Sequence, residues 1–243
     1  GTAMGILDFN NSAYPMTTEM IGNDKVFQTG VLYSADVDTA LETSGFNFYD
    51  EFTLQVSFEY TTEGEQTYLT LTFYVNGKQI KVNERLTSTS STTKLDALKM
   101  KISSDKENHG TYIGFEEYNN GGTLTLSSVS VTTQENTGPT PVCLDGFNHV
   151  TLKNFGLPEG TTYTETKYAQ LKGDDGKTPV TGVLDKTVLS LKVKFTQKDT
   201  NSYGSLLVMG GDGWNKGFGL RPNKTGTAMG ILDFNNSAYP MTT

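Results

Sequence analysis

Hydrophobic and polar residues alternate with a period of two along much of this chain. The clearest run is FTLQVSFEY at residues 52–60, in which every second side chain is apolar. Successive side chains of a strand point to opposite faces, so this run predicts a strand with one buried and one polar face. Helical spacing of apolar residues is nearly absent, and residues 34–42 fit a short helical turn and a structured loop about equally well. The pattern predicts an all-β fold.

A second alternating run, at residues 69–75, leads into the dipeptide Asn76-Gly77. Asn and Gly adopt positive φ at low cost, so this pair favours a two-residue hairpin turn into a returning strand at 78–83. This hairpin is the strongest local prediction. The same reasoning predicts further strands at 5–9, 26–33, 98–103, 111–116, 123–131, 149–153, 188–197, 202–209 and 217–221.

The last 18 residues, 226–243, repeat the first 18 without a single change. A shared tendency to form strands would make the two segments alike in the polarity of each position, but it would not make every side chain identical. The identity therefore indicates a copied segment. Subtracting one copy leaves a unit of 225 residues, long enough for one large all-β domain. We interpret the chain as a stretch of a tandem array that starts inside one repeat, so that the two parts of a repeat occur in permuted order. An engineered circular permutant with a duplicated join is the alternative.

The clearest linker is TTQENTGPTPV at residues 132–142, in which Pro139 and Pro141 remove backbone donors and the polar neighbours offer nothing to bury. Residues 1–131 would then be the C-terminal part of a sandwich unit, and residues 143–243 the N-terminal part of one. The two parts belong either to successive units or to one unit. In the second case, two copies of GILDF compete for one position.

The order FTLQVSFEY, YLTLTFYVNGKQIKV, LKMKISS, YIGFEEY and GTLTLSSVSV resembles the second half of concanavalin A-like, laminin-G-like jelly rolls. The resemblance covers about two thirds of the unit and implies an antiparallel jelly-roll β-sandwich. Its motifs are strand patterns rather than chemical signatures, so it indicates fold far better than function. The overlap and the linker also make the chain similar to the beaded surface filaments of gut-type bacteria, in which one long chain joins near-identical sandwiches.

The formal net charge of −8 disfavours nucleic acid and anionic membrane surfaces as partners. No apolar run approaches the roughly 20 residues that cross a bilayer, so we expect no membrane insertion in this segment. The single cysteine, Cys143, excludes a disulfide framework within one unit. Abundant Thr, Ser, Gly and Asn suit strands and polar turns, and an extracellular or cell-surface location is the natural setting.

Some sandwiches of the family that this chain resembles cleave β-glucans, with carboxylates at alternate residues of one strand. The candidate pair is Asp36 and Asp38, but Ser34 stands where that pattern needs a further carboxylate, so acid and nucleophile are not both present. Glu116 and Glu117 are adjacent and face opposite ways, which predicts one partly covered and one solvated acid. We therefore expect no enzyme activity.

Calcium is the one ion that the sequence favours. Asp174, Asp175 and Asp212 lie in glycine-containing turns and offer hard oxygen ligands, and sandwiches of this type often carry a structural ion. Neither turn follows the spacing of a dedicated calcium motif, so a plain acidic turn is the alternative. Apart from this ion, no cofactor is expected.

Glycan binding is the main alternative to a purely structural role. The only tryptophan, Trp214, can stack on a sugar face with Phe218 nearby, while Asp212 and Asn215 hydrogen-bond to hydroxyls. The alternative makes Trp214 a buried anchor. A second aromatic and hydroxyl face, which is either a similar platform or an ordinary outer strand face, comprises Tyr68, Thr70, Thr72 and Tyr74.

These patterns favour a non-catalytic repeat of an extracellular bacterial surface filament, with adjacent copies of the same repeat as its partners. The alternative is a repeated carbohydrate-binding adhesion module, in which many tethered copies amplify a modest affinity for glycans.

Overall fold

The computed structural model describes residues 29–85, 93–102, 111–118, 122–133, 150–180, 186–197, 203–210 and 217–233. These residues form fifteen strands, one α-helix and one 3-10 helix. The helices are α1 (Ser34–Leu41) and the 3-10 helix Leu152–Phe155. The strands are β1 (Thr29–Tyr33), β2 (Phe52–Glu63), β3 (Gln66–Val75), β4 (Lys78–Ile80), β5 (Val82–Arg85), β6 (Lys94–Leu95), β7 (Leu98–Ile102), β8 (Thr111–Tyr118), β9 (Gly122–Thr133), β10 (Thr161–Tyr163), β11 (Lys167–Gln170), β12 (Thr187–Gln197), β13 (Tyr203–Gly210), β14 (Gly217–Pro222) and β15 (Ala228–Asp233).

The described strands pair antiparallel and form two sheets. The first sheet has the order β11-β8-β13-β14-β15-β1-β5-β6, and the second has the order β10-β9-β12-β2-β3-β4, with β7 also paired to β3. Leu32 and Leu206 of the first sheet belong to the same buried cluster as Phe52 and Leu191 of the second. The chain is therefore a β-sandwich, which confirms the all-β prediction.

The predicted alternation is present in β2 and its neighbour β12. Leu54 and Val56 are fully buried, whereas Thr53 and Gln55, which alternate with them, are half-buried. Leu54 lies opposite Leu191 of β12, so the inward residues of adjacent strands form continuous apolar rows. Burial of each such side chain contributes about 1.5–3 kcal/mol, which makes these rows the main source of stability.

The Asn-Gly hairpin is confirmed. Asn76 and Gly77 have φ values of 48° and 82°, both in the left-handed region that a type I′ turn requires. The returning strand differs from the prediction, because β4 pairs in the second sheet and β5 pairs in the first. The exposed Lys81 separates them, while Ile80 and Val82 on either side are both buried in the shared core. The chain thus crosses between sheets at this point.

The prediction of a strand at 149–153 is wrong. A 3-10 helix begins at Leu152, because the Asn154 side chain accepts a hydrogen bond of 2.9 Å from the Thr151 amide and so closes a helical turn. Gly156, with φ at 67°, ends it. This short helix places Leu152 and Phe155 in the core.

Strands from the two parts of the chain alternate in both sheets. In the second sheet, β12 lies between β9 and β2, and in the first, β13, β14 and β15 lie between β8 and β1. The described residues on both sides of the predicted linker therefore contribute to one core. The predicted strand at 5–9, the linker residues Pro139 and Pro141, and Cys143 lie outside the residues that the structure describes. No helix in the described part of the chain is long and apolar enough to span a membrane.

Candidate functional site

The second copy of the duplicated segment enters the middle of the first sheet. Its strand, β15, pairs with β14 on one side, where Met229 lies opposite Pro222, and with β1 on the other, where Met229 lies opposite Leu32. Met229 and Leu32 are both fully buried. We call the position between β14 and β1 the β15 slot. Because the slot has a hydrogen-bonding strand on each edge, its occupant joins the two flanking strands into one sheet.

Backbone hydrogen bonds hold the segment where it enters the slot. The amide of Ser34 donates to the carbonyl of Thr227 at 2.9 Å, and the amide of Phe48 donates to the carbonyl of Gly226 at 2.8 Å. Gly226 has a φ of 70°, and a Cβ at this position would collide with the Asn47 side chain. Only glycine fits this entry point without strain.

A tight turn connects β14 to the occupant of the slot. The Asn223 side-chain oxygen accepts hydrogen bonds from the amides of Thr227 at 2.9 Å and Ala228 at 3.2 Å. The Asn223 amide donates to the carbonyl of Ala228 at 2.8 Å, and Gly226 donates back to Asn223 at 3.0 Å. Asn47 Nδ2 adds a hydrogen bond of 2.8 Å to the carbonyl of Thr225. The turn is thus built by residues 223–225, which precede the duplicated segment.

A row of polar side chains crosses the outward face of the first sheet. Glu116 of β8 lies opposite Ser205 of β13, and Arg221 of β14 is beside Ser205. The guanidinium Nε of Arg221 donates to Ser205 Oγ at 2.9 Å, and its Nη2 lies 4.0 Å from Glu116 Oε2. Arg221 and Ser205 are 1% and 0% exposed. A buried charge needs a counter-charge and polar neighbours, and this row supplies them.

Burial raises the pKa of Glu116, and the Arg221 guanidinium opposes part of that rise. Glu117 is half-buried, and its Oε1 is inaccessible to solvent. The prediction of one solvated acid is therefore wrong, because both side chains are partly buried. Sequence analysis missed the row, since Glu116, Ser205 and Arg221 are far apart in the chain. Among the described residues, the row holds one buried cation, Arg221, and one carboxylate beside it, Glu116, rather than two facing carboxylates.

The candidate glycosidase carboxylates lie on helix α1 rather than on a strand. Asp36 accepts a hydrogen bond of 2.7 Å from Asn83 Nδ2 and forms an ion pair with Lys94. Asp38 accepts hydrogen bonds from the amides of Gly45 at 3.1 Å and Phe46 at 2.9 Å, just beyond the end of the helix. Both carboxylates thus fix local structure. The helix buries Val37 in the core, and Ala40 and Leu41 pack against the same core.

The turn that carries two calcium candidates is organised by one of them. The Asp175 carboxylate accepts hydrogen bonds from the amides of Lys177 at 2.8 Å and Thr178 at 2.9 Å, and from Thr178 Oγ1 at 2.5 Å. These hydrogen bonds lower the pKa of Asp175 from 3.8 to about 2. Asp175 is therefore an ionised capping residue of its own turn.

The second acid of that turn, Asp174, is exposed and lies 3.5 Å from Asn154 Nδ2. The third calcium candidate, Asp212, lies outside the described residues. Within the described ranges, no three His, Cys, Asp or Glu residues form a group suited to a metal ion. A structural calcium ion stays a prediction.

Three of the glycan-binding candidates, Trp214, Asp212 and Asn215, fall in residues 211–216, which the structure does not describe. The backbone of Phe218 lies in β14, opposite Asp233 of β15. The second candidate face on β3 is half-buried, as expected for the outer side of a strand whose other side lines the core. Its four residues are Tyr68, Thr70, Thr72 and Tyr74.

A cleft of about 530 Å³ lies beside a bulge in β9, where the pairing with β12 shifts and Ser127 is the additional residue. Glu51 accepts a hydrogen bond of 3.0 Å from Ser127 Oγ and pairs with Lys192 at 2.7 Å. The wall of the cleft is mixed in polarity and includes Thr151, Leu157 and Pro158. The described residues of its lining include no aromatic side chain that could stack on a sugar.

Comparisons with known proteins add no assignment to this geometry. No family model, curated protein or solved structure matches the chain.

Proposed function

We propose that this chain is a window on a tandem array of jelly-roll β-sandwiches that forms a non-catalytic filament on a bacterial cell surface. The observation that carries the proposal is the position of β15. Residue 243 corresponds to residue 18, so an array continues from 243 with the sequence of residues 19–28 and then that of β1. The strand that carries the second copy already lies antiparallel to β1.

The order of strands in the first sheet supports this reading. In an array, the strands β13, β14, β15 and β1 follow one another along the chain, and they are also consecutive neighbours in the sheet. Consecutive strands usually lie side by side, so the natural order gives a simpler topology than the window does. One repeat would then comprise the sequence from about 150 to 233 followed by the equivalents of residues 9–133.

Adjacent repeats are the partners in this proposal, and the predicted linker at 132–142 would join them, although its first two residues belong to β9. Pro139 and Pro141 lie in this linker sequence. Each period carries a formal charge of −7, because the second copy contributes only Asp233 to the total of −8. Like-charged repeats repel one another, so we expect weak lateral bundling at low salt.

Electron microscopy tests the filament directly. A compact unit of this size has a diameter of about 45 Å, so four joined 225-residue repeats, each beginning near position 150, should appear as four beads at about that spacing or slightly more. A single 225-residue sequence is the control and should give single beads. Native material should show longer rows of the same beads. A parent gene with one unduplicated module would contradict the array and the filament together.

The alternative is a repeated adhesion module that binds glycans. A binding experiment distinguishes it from a purely structural repeat. A glycan array probed with the 243-residue chain and with Trp214→Ala separates the two functions. A signal that the variant loses would favour the adhesion module. Absent signals for both chains are expected for a purely structural repeat.

A further inference from the structure

The described strands come from two parts of the chain, and neither part forms both sheets by itself. We call the described residues of 29–133 the first part and those of 150–233 the second part. In the second sheet, β12 of the second part lies between β9 and β2 of the first, and in the first sheet β13, β14 and β15 lie between β8 and β1. Among the described strands, β8 and β9 therefore pair only with strands of the second part. Each part needs the other to complete the sandwich.

Main-chain pairing and apolar packing join the two parts. Strand β12 pairs with β9 from Thr187 to Gln197 and with β2 from Thr187 to Val193. Leu191 of β12 lies opposite Leu54 of β2, and both side chains are fully buried. This interface is the core of the sandwich, and permanent complexes bury surfaces of the same apolar kind. Such contacts do not depend on a peptide connection between the parts.

The proposed array places a first part on either side of each second part. In that array, the first part closes one repeat and the second part opens the next, so the described sandwich pairs parts of two successive repeats. The first part of the same repeat follows the second part along the chain. It would begin close to β15, because Ile231 of β15 lies opposite Gly30 of β1. Copies of one repeat offer the same pairing edges and the same buried positions, so a second part has more than one suitable partner.

We propose that the two parts are exchangeable between copies of this chain: the first part of one copy accepts the second part of another and forms the same sandwich. The interaction surface consists of the edges of β1, β2, β8 and β9 that the second part occupies, together with the buried rows beside them. The partner is a second copy of this chain. For the filament, and there resting on the proposed function, an unpaired part at the end of one array would bind its complement at the end of another and join the two without a covalent bond.

Covalent connection keeps exchange rare between intact chains. A short linker raises the effective concentration of two joined partners to the order of millimolar, well above the concentration of chains in a dilute solution. The partner within the chain is therefore preferred unless one of the two parts is damaged. Exchange is consequently tested with chains whose own parts cannot pair.

Complementation between two variants of the full chain tests the proposal. Leu191→Asp damages the second part and Leu54→Asp damages the first, because each places a charge in a fully buried position. We expect neither variant alone to unfold cooperatively. After the two are mixed in denaturant and refolded together, a cooperative transition should return with about half the wild-type amplitude, since each pair of chains holds one undamaged part of each kind. Light scattering should give the mass of two chains. No gain over the separate variants would overturn the proposal.

A second variant in the same part is the matched control. Leu189 lies two residues from Leu191 on β12 and is also fully buried, so a mixture of Leu189→Asp with Leu191→Asp holds no undamaged second part. This mixture should show no cooperative transition, and recovery in it would contradict specific exchange. If a single change leaves cooperative unfolding intact, Leu189→Asp is combined with Leu191→Asp, and Val56→Asp with Leu54→Asp, before the chains are mixed.

A disulfide between chains identifies the paired strands. Gln55 and Ser190 lie opposite each other on β2 and β12, and Gln55 Nε2 donates a hydrogen bond of 3.2 Å to Ser190 Oγ. Gln55→Cys is therefore placed in the Leu191→Asp variant and Ser190→Cys in the Leu54→Asp variant. Oxidation of the refolded mixture should cross-link the two chains, because opposite residues of paired strands lie within reach of a disulfide.

The cross-link has its own control. Cys143→Ser in both chains removes the natural thiol. Lys194→Cys then replaces Ser190→Cys, four residues away along β12, and should give little cross-link to Gln55→Cys. Equal cross-linking from both positions, or none from either, would contradict exchange in the native register.

Exchange and the filament function fail in different experiments. A parent gene with one module would remove the array but leave complementation between 243-residue chains intact. Absence of complementation would leave the beads of an array joined along one chain. Mixing the two variants and sequencing the parent gene therefore give independent answers.

Discussion

Arg221 and Ser205 are joined across neighbouring strands by a hydrogen bond of 2.9 Å from the guanidinium Nε to Ser205 Oγ, and both side chains are buried. Glu116 Oε2 lies 4.0 Å from the same guanidinium, on the next strand. The three residues form the charged centre of the polar row on the first sheet. Their mutual dependence yields two predictions.

Removal of the buried cation should destabilise the protein strongly. Arg221→Met keeps much of the side-chain volume but leaves the Glu116 carboxylate without its counter-charge, so we expect a loss of about 3 kcal/mol in the free energy of unfolding. Chemical denaturation at neutral pH measures it. The double variant with Glu116→Gln should recover part of the loss, because the uncompensated charge is gone. A loss that Glu116→Gln does not reduce would contradict coupling between the two groups.

Glu116 should make stability depend on pH in a defined direction. Its pKa is raised above 4.5 in the folded state, mainly by burial, so folding favours the protonated form. The resulting stabilisation is present below pH 4.5 and is lost as the pH rises through the folded pKa. The difference in unfolding free energy between Glu116→Gln and the wild type should therefore grow, in favour of the variant, as the pH rises through this window. Denaturation curves at several pH values check it, and a pH-independent difference would refute it.

Asp175 should have the opposite effect at acid pH. Its folded pKa of about 2 lies below the ordinary 3.8, because Thr178 and two backbone amides stabilise the ionised carboxylate. This contribution is present above pH 3.8 and is lost as the pH falls through about 2. Asp175→Asn should therefore flatten the acid limb of a plot of melting temperature against pH. Asp174→Asn, one residue earlier, is the control and should leave that limb steeper than Asp175→Asn does.

Asp38 should stabilise the segment that follows helix α1. Its carboxylate accepts hydrogen bonds from the amides of Gly45 and Phe46, so Asp38→Ala leaves both donors without this acceptor. We expect a loss of about 1 kcal/mol in the free energy of unfolding, measured by chemical denaturation. Asp38→Asn retains one acceptor oxygen and should lose less. An equal loss in both variants would assign the effect to charge rather than to the hydrogen bonds.

Local patterns predicted the longer strands well. In β2 and β3 the alternation extends over many residues, and the Asn76-Gly77 turn follows directly from the φ values that these residues tolerate. The strands β10 and β11 have only three and four residues, too few for a period to be recognised. Helix α1 gave little helical signal because Val37 is its only fully buried residue.

The charged row could not be predicted from local sequence patterns. Glu116, Ser205 and Arg221 come from three strands, and no spacing along the sequence relates them. Their proximity depends on the register of β8, β13 and β14, and a shift of one residue would turn each side chain to the other face.

By itself, the sequence determined the all-β character and the repeat of residues 1–18 at 226–243, because alternation and identity are properties of the chain that need no partner. Only the tertiary structure decided that residues 29–133 and 150–233 share one core, that β15 fills the slot beside β1, and that Arg221 is buried next to Ser205. Strand pairing joins residues that are distant along the chain, and its outcome depends on register, loop closure and burial together.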